Sequence, residues 1–539
     1  MGKMTKPNVR RPRVRRGAAD LIDRLLQHTN PSFDAFFIEE PNLLFAGHGL
    51  AVDPKAGLET HGPFELDHAG RSKIRIGIIG TGNGIQTVLS YLSRCESPIH
   101  AGLNARGKPY DPLCFPSFPG CSEHTSFRCR FVSDQSIQRS IPQESFDGAV
   151  IGGTGSEKLR RVVELVTKEL QALAELESPP DVAVFVMPQI VEHECGTIGM
   201  EFQGKKIQLT VSEKIERKLA KESLRTGQAL LGLEFDVADE RTAVTQRGFW
   251  NLHHAIKAHS MASGLSTQLV WEGTLSGGTG TQDPASIAWN LLTALYYKAG
   301  NRPWQLQMLP ENACYVGVSF YKETPHADAG MQTSLAQVFG AGEGLVLKGR
   351  RAIVDKRRDR KAHLDEDAAY QLLAQAIELY SNQTKAAPRR VVVHKTSKYW
   401  PEELRGFKKA LGNINLYDFL TLETLGTRFM RVGKKPPLRG TVIVLSARNY
   451  LMYTLGYIPY FRDYPGMRIP QPIEVVEHHG TSPAQDVCRE ILALTKLNWN
   501  SCAFASSVPI TIRFARDVGR ILTELPKGIE PKTKYKYYM

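Results

Sequence analysis

The sequence predicts an α/β protein made of two domains, the first built on a largely parallel sheet with helices on both faces. Three observations predict it. Short apolar runs alternate with helix-period segments between residues 74 and 299, in the order β-α-β-α-β-α. The run Gly300-Asn301-Arg302-Pro303 then breaks the pattern. Beyond it come two alternating strands, a helix and more strands, a second α/β set. A chain of 539 residues has room for two or three cores of ordinary size.

Residues 1–25 read as a basic tail. Lys3, Lys6, Arg10, Arg11, Arg13, Arg15 and Arg16 have no acid among them, a pattern that stays solvated or grips phosphates by displacing their counterions. A short amphipathic helix is expected at 18–27. Residues 26–72 form a lead-in whose part from 33 on is irregular, punctuated by Pro and Gly. The first domain, 73–300, opens on an apolar strand at 74–79 and a helix at 86–92. Residues 149–151 and 182–187 read as buried strands, with a helix at 157–176 between them. Helix 249–263, strand 268–271 and helix 285–299 complete a Rossmann-like order.

The second domain, 301–539, starts with strands at 314–321 and 344–348. A basic run from Lys348 to Lys361 leads into a helix on which Ala369, Leu373, Ile377 and Tyr380 recur at helical spacing. Strands at 390–395, 441–446 and 473–476 follow. A meander, a helix and further strands suit a ribonuclease-H-like layout.

The formal net charge of +13 favours a polyanionic partner over an acidic small molecule. The eight cysteines are scattered without a CxxC pair, so they read as reduced thiols in or near a core. No apolar stretch approaches the roughly 18–20 residues needed to span a bilayer. The N-terminus has neither a hydrophobic segment behind its charges nor a Ser or Thr at the myristoylation position, which is Lys6. A cytoplasmic location and no membrane partner are expected.

Gly80-Thr81-Gly82-Asn83-Gly84 follows the first strand, where a dinucleotide-binding loop would sit. The fingerprint G-x-G-x-x-G fails, because Ile85 stands where the last glycine should let helix and strand pack closely. An NAD(P)-dependent oxidoreductase built on this loop is therefore the weaker alternative, and a guide-free nucleic-acid-binding scaffold is a second.

A different set of residues is more informative. His253 and Lys257 are four apart and share one helical face. Gln268 opens the next strand, and Lys298 sits near the end of the next helix, ahead of Gly300. Two lysines, an imidazole and an amide can surround one terminal phosphate with charge-assisted hydrogen bonds. A lysine before a glycine is also what a helix C-terminus prefers for its own sake.

At these residues the chain resembles the MID domain of Argonaute proteins, where a helical Tyr or His four residues before Lys, then Gln, then Lys before Gly hold the 5′ phosphate of a guide strand. The resemblance implies that His253, Lys257, Gln268 and Lys298 bind it. It continues into a second domain that resembles PIWI, through Pro303-Trp304, Tyr315-Val316-Gly317-Val318-Ser319-Phe320, 389–395, 494–501 and Val508-Pro509-Ile510-Thr511. Residues 45–63 resemble the lead-in of short prokaryotic members. The resemblance implies a MID domain followed by a ribonuclease-H-like PIWI domain.

It also implies a lost nuclease site. Ribonuclease-H chemistry needs acids holding two divalent cations about 3.5–4 Å apart. The positions of those acids are occupied by Ser319, Thr396 and Arg516, and only the last has an acid, Asp517, beside it. His394, Lys395 and Lys496 are expected at a nucleic-acid backbone. The C-terminal carboxylate of Met539 is a candidate ligand for a Mg²⁺ ion at the 5′-phosphate pocket. Short members imply a heterodimer with an effector that carries a PAZ-analogous domain and a TIR or sirtuin-type NAD-degrading enzyme. The expectation is a non-cutting sensor that loads a small, 5′-phosphorylated guide RNA, pairs it with invading single-stranded DNA and activates that effector. Base pairing would carry the specificity, as in other guided systems.

Overall fold

The computed structural model describes residues 34–195 and 251–539, apart from 69, 104–106, 278–281, 308, 311, 323–330, 340–343, 356, 360, 425, 430–435, 467–468 and 527, together with the backbone of 201–202 and 205–206. The basic tail and the helix expected at 18–27 lie outside the described residues.

The described lead-in has a definite structure, against the expectation of an irregular segment. Its strands β1 (Asp34–Phe37) and β2 (Leu43–Leu44) both pair antiparallel with strands beyond residue 300. Helix α1 (Pro54–His61) starts on Asp53, whose carboxylate accepts from Lys55 N at 3.1 Å, and stops at Gly62, with φ +79°. Glu40 ties this segment to the second domain. Its carboxylate accepts from Arg439 Nε and from Lys496 Nζ, each at 2.8 Å, and Lys496 also donates to Val52 O at 2.6 Å. Burial works against the Glu40 carboxylate, but Arg439 and Lys496 hold its pKa below the usual value. Lys496, expected at a nucleic-acid backbone, is instead buried with its charge neutralised by Glu40. Removing one member of such a buried group costs roughly 3–5 kcal/mol, because the other charge is left uncompensated.

The first sheet is parallel. Strand β3 (Lys73–Gly80) leads into helix α2 (Gly82–Arg94), and β4 (Arg130–Val132) and β5 (Gln138–Ser140) pair successively along one side of β3. Helices α3 (Gln143–Val150) and α4 (Gly155–Ala174) precede β6 (Val182–Met187) on the other side of β3. Helix α4 is opened by a reciprocal cap between Thr154 and Glu157. Helix α5 (Leu252–Ser260), strand β7 (Thr267–Trp271) beside β6, and helix α6 (Pro284–Lys298) complete the domain. Alternation along the strands feeds two cores. Ile74, Ile76, Ile78, Val184 and Val186 face α2 and α6, while Ile79, Ala183, Phe185 and Met187 face α4 and α5.

One expected strand is wrong. Residues 149–150 end helix α3, and Ile151 caps it. Phe146, Ala149 and Val150 are buried at i, i+3 and i+4, a helical stripe that a three-residue apolar run cannot reveal.

After α6 the chain passes β8 (Gln305–Leu306), the partner of β2, into a nine-stranded sheet. Strands β9 (Ala313–Lys322), β10 (Met331–Phe339) and β11 (Leu345–Arg351) form an antiparallel meander, and the small hairpin β12 (Ile353–Val354) and β13 (Ala362–His363) leads to helix α7 (Glu366–Thr384). Strand β14 (Arg390–Lys395) returns parallel to β9. Helix α8 (Pro401–Leu411), strand β15 (Leu416–Thr424), and strands β16 (Thr441–Ser446), β17 (Asn449–Met452) and β18 (Ile473–Gly480) extend the sheet to β1. Helices α7 and α8 cover one face. Helices α9 (Ala484–Leu494) and α10 (Ile510–Thr523) cover the other and share a core with α6. Contact with α10 is closest at Gly317, where a Cβ would lie 2.0 Å from Thr511 O, so glycine alone fits. Among the described residues no helix is long and apolar enough to cross a membrane.

Candidate anion-binding site

Four residues from α5, β7 and α6 meet at the amino-terminal end of β7. Asn251 caps α5, its side chain accepting from His253 N at 2.9 Å and His254 N at 3.4 Å. One turn on, Lys257 is buried and its Nζ donates to Thr267 O. Lys298 is the last residue of α6; it is fully buried, and its Nζ donates to the Gln268 side-chain oxygen. Ser266 Oγ donates to Lys298 O at 2.7 Å and fixes the helix end against the strand.

The electrostatics of this cluster are unbalanced. Burial, then the charge of Lys298, pushes the Lys257 pKa well down. Burial pushes Lys298 down to about 7. His253 is also pushed down, by burial and then by the charges of Lys257, His254 and Lys298. No carboxylate pairs with either lysine among the described residues, so the enclosure concentrates positive charge without a counterion. An anion bound there would relieve the repulsion and restore both ammonium groups.

This gives a pH dependence with a definite sign. Lys298 holds its proton below about pH 7 and loses it above. A phosphate, doubly charged above about pH 6, must then recover that proton in order to bind. Affinity for a 5′-phosphorylated oligonucleotide is expected to fall as pH rises from 7 to 9, by up to about tenfold per unit for one proton. Titration calorimetry in buffers of different ionisation enthalpy should show proton uptake at pH 8, and a pH-independent affinity would contradict it.

Side chains of the cluster alone do not make a Mg²⁺ site: the Gln268 oxygen already accepts from Lys298 and its neighbours are lysines, so such an ion would depend on the Met539 carboxylate and on the phosphate itself. The C-terminal turn around Tyr535 packs on α6, and Tyr537 Oη donates to Gly264 O at 3.0 Å, beside the approach to β7. Met539 is buried.

Sequence reading missed Glu524, at the end of α10. Its carboxylate accepts from Asn251 N at 3.3 Å, and burial raises its pKa to about 7. It places the second domain directly against the cap of the pocket helix. No local signal marks it, since the contact spans 273 residues.

The glycine loop is blocked. Glu272 accepts from Thr81 Oγ1 at 3.1 Å and would lie 3.0 Å from a Cβ at Gly84. A carboxylate at the start of α2 opposes the phosphates that a dinucleotide would bring there.

In the second sheet, Ser319 and Thr396 directly follow Val318 and Lys395, the last residues paired between two adjacent parallel strands. Ser319 Oγ donates to Ala515 O at 2.7 Å, next to Arg516 on α10. Register thus sets Ser319 and Thr396 on neighbouring strands, with Ser319 hydrogen-bonded to the residue that precedes Arg516. Asp517 is drawn to Arg513 and Arg520 of its own helix, at 3.8 and 3.6 Å. His394 and Lys395 do not line a cleft as expected. His394 is buried under α10, hydrogen-bonded to Thr511 Oγ1 at 2.7 Å, with its pKa lowered by burial to about 3. Lys395 is fully buried on the opposite face, donating to Glu403 and, at 3.3 Å, to Lys398 O.

Comparison with known proteins agrees with this architecture. No family model matches the sequence. Over 288 residues the chain is 22% identical to the Argonaute protein of Aquifex aeolicus, covering 52% of this chain and 37% of that one. Clostridium butyricum Argonaute, solved with a guide DNA and a 19-mer target DNA, superposes over 93% of this chain and 54% of its own, with a TM-score of 0.59 at 12% identity. This chain has the Argonaute fold. The Aquifex protein with externally bound siRNA gives a TM-score of 0.53 at 13% identity over 95% of this chain and 56% of its own. Drosophila Piwi gives 0.50 at 13% over 93% and 56%. The Argonaute-like chain therefore spans only part of these relatives, and its two sheets are consistent with MID and ribonuclease-H-like PIWI domains.

Proposed function

We propose that this chain is a guide-binding sensor. It holds the 5′ phosphate of a small guide RNA between α5 and α6, presents the guide for pairing with invading single-stranded DNA, and does not cut. The observation that carries this reading is the buried pair Lys257 and Lys298, two lysines with no carboxylate partner among the described residues and with pKa values pushed down by burial. The neutral and cationic side chains at Ser319, Thr396 and Arg516 support the absence of cutting.

Recognition without cleavage needs a separate output. The reading assigns that to an associated effector with a PAZ-analogous domain, a TIR or sirtuin-type enzyme that depletes NAD; this part rests on the resemblance to short Argonautes. The Glu524–Asn251 contact supports communication between the pocket and α10.

The test is the nucleic acid that copurifies with the expressed chain. The expected species is short, 5′-phosphorylated and destroyed by ribonuclease. DNA with the same end group would correct the guide chemistry alone, whereas a random mixture indifferent to its 5′ end would overturn the reading in favour of a guide-free scaffold.

A further inference from the structure

The basic run between residues 348 and 361 holds eight Lys or Arg against two Asp, and the pocket does not use it. The structure places its first part on β11, the outermost strand of the nine-stranded sheet. Among the described residues the C-terminal tail covers the start of that edge, where Val346 N donates to Thr533 O at 2.6 Å. From there Lys348, Arg350 and Arg351 are exposed, and Arg357 is exposed on the following hairpin. The two acids are engaged locally. Asp355 accepts from Arg357 N at 2.8 Å, and Asp359 accepts from Lys361 N at 3.0 Å and sits 2.8 Å from His363 Nε2.

Register connects this edge to the three substituted positions. Ser319 pairs with Ser334, and Ser334 pairs with Lys348. Directly paired residues share a face, so Lys348 lies in one row with Ser319, two strand spacings or about 10 Å away. Arg351 pairs with Gln332, which pairs with Tyr321, so the arginines continue past the row toward the carboxyl end of β9.

The geometry points to a phosphodiester-binding track along β11, in which Lys348, Arg350 and Arg351 hold the backbone of the guide–target duplex as it leaves the Ser319–Thr396–Arg516 row. Charge complementarity selects the occupant: three exposed cations on a strand edge, with the neighbouring acids turned to backbone amides, match a polyanion. This inference rests on the proposed guide-binding function and names a second contact for the same ligand.

The test uses the full chain with Lys348→Glu, Arg350→Glu and Arg351→Glu combined, and a milder version with Gln at all three. Affinity for a preformed guide–target duplex is measured from 50 to 200 mM salt, beside retention of a short 5′-phosphorylated single strand that reaches only the pocket. Duplex affinity is expected to fall at least tenfold in the Glu variant and less in the Gln variant. The slope of log affinity against log salt should flatten by about 2–3, and short-strand retention should hold. An unchanged slope and duplex affinity would overturn the track, as would a loss confined to a copurifying protein, which would make β11 a protein-docking edge. If the unaltered chain ignores the 5′ phosphate, the pocket reading fails, while the salt slopes still decide the track.

Discussion

Replacing Lys257 and Lys298 together with alanine is expected to abolish the preference for a 5′-phosphorylated end. On the proposed reading each ammonium gives the phosphate one charge-assisted hydrogen bond, worth about 1.5–3 kcal/mol, so the pair would account for roughly 3–6 kcal/mol, or about a hundredfold to ten-thousandfold or more in affinity. Binding of the rest of the strand should persist. A filter or anisotropy assay with matched 5′-phosphate and 5′-hydroxyl oligonucleotides reads the ratio directly.

The same lysines make an opposite prediction for stability. A cation buried without a counterion costs folding free energy, so Lys298→Met, which keeps a stem of similar length, is expected to stabilise the chain by about 1–3 kcal/mol, or roughly 2–12 °C in the domain's Tm. The sign follows from the lowered pKa. The unfolded lysine holds its proton up to about 10.5 and the folded one only to about 7. Between those values the unfolded state binds more protons, so stability of the unaltered chain rises with pH across that window. The gain from Lys298→Met is therefore largest at and below pH 7 and fades toward pH 10.5. A thermal melt that moves downward at pH 7 would contradict the account.

The second large effect concerns cleavage. With guide, matched target and Mg²⁺ or Mn²⁺, the chain is expected to leave the target intact. Two-metal hydrolysis needs carboxylates to hold the ions, and Ser319 and Thr396 offer hydroxyls, one of them already donated to Ala515 O. A guanidinium ~4 Å from a divalent cation, at an effective dielectric of ~20, repels it by about 8 kcal/mol. Denaturing gels over a long time course check this. Cleavage at a single guide-directed phosphodiester would show that acids from elsewhere complete the centre.

How much of this was legible in the sequence depended on how local each signal is. The strands at β3 and β6 and the long helix α4 are carried by uninterrupted apolar runs and by a capping pair within three residues. The cluster falls inside 253–298, where helix and strand spacing set relative positions, so the sequence could name four residues that the structure brings together. Buried charge was not legible. Lys395, Lys496 and His394 look like solvated groups in a sequence, and their partners Glu403, Glu40 and Thr511 lie on other elements, two of them more than a hundred residues away. Strand pairing was similarly hidden. The lead-in reads as irregular because β1 and β2 are only four and two residues long, and each pairs with a strand that follows hundreds of residues later.

The most direct measurement compares, on protein stripped of nucleic acid at pH 6.5–7, dissociation constants for one oligonucleotide ending in a 5′ phosphate and the same one ending in a hydroxyl. Tighter binding of the phosphorylated strand by about a hundredfold or more is the predicted result. Equal constants would mean that the charges buried beneath α5 and α6 serve some other purpose.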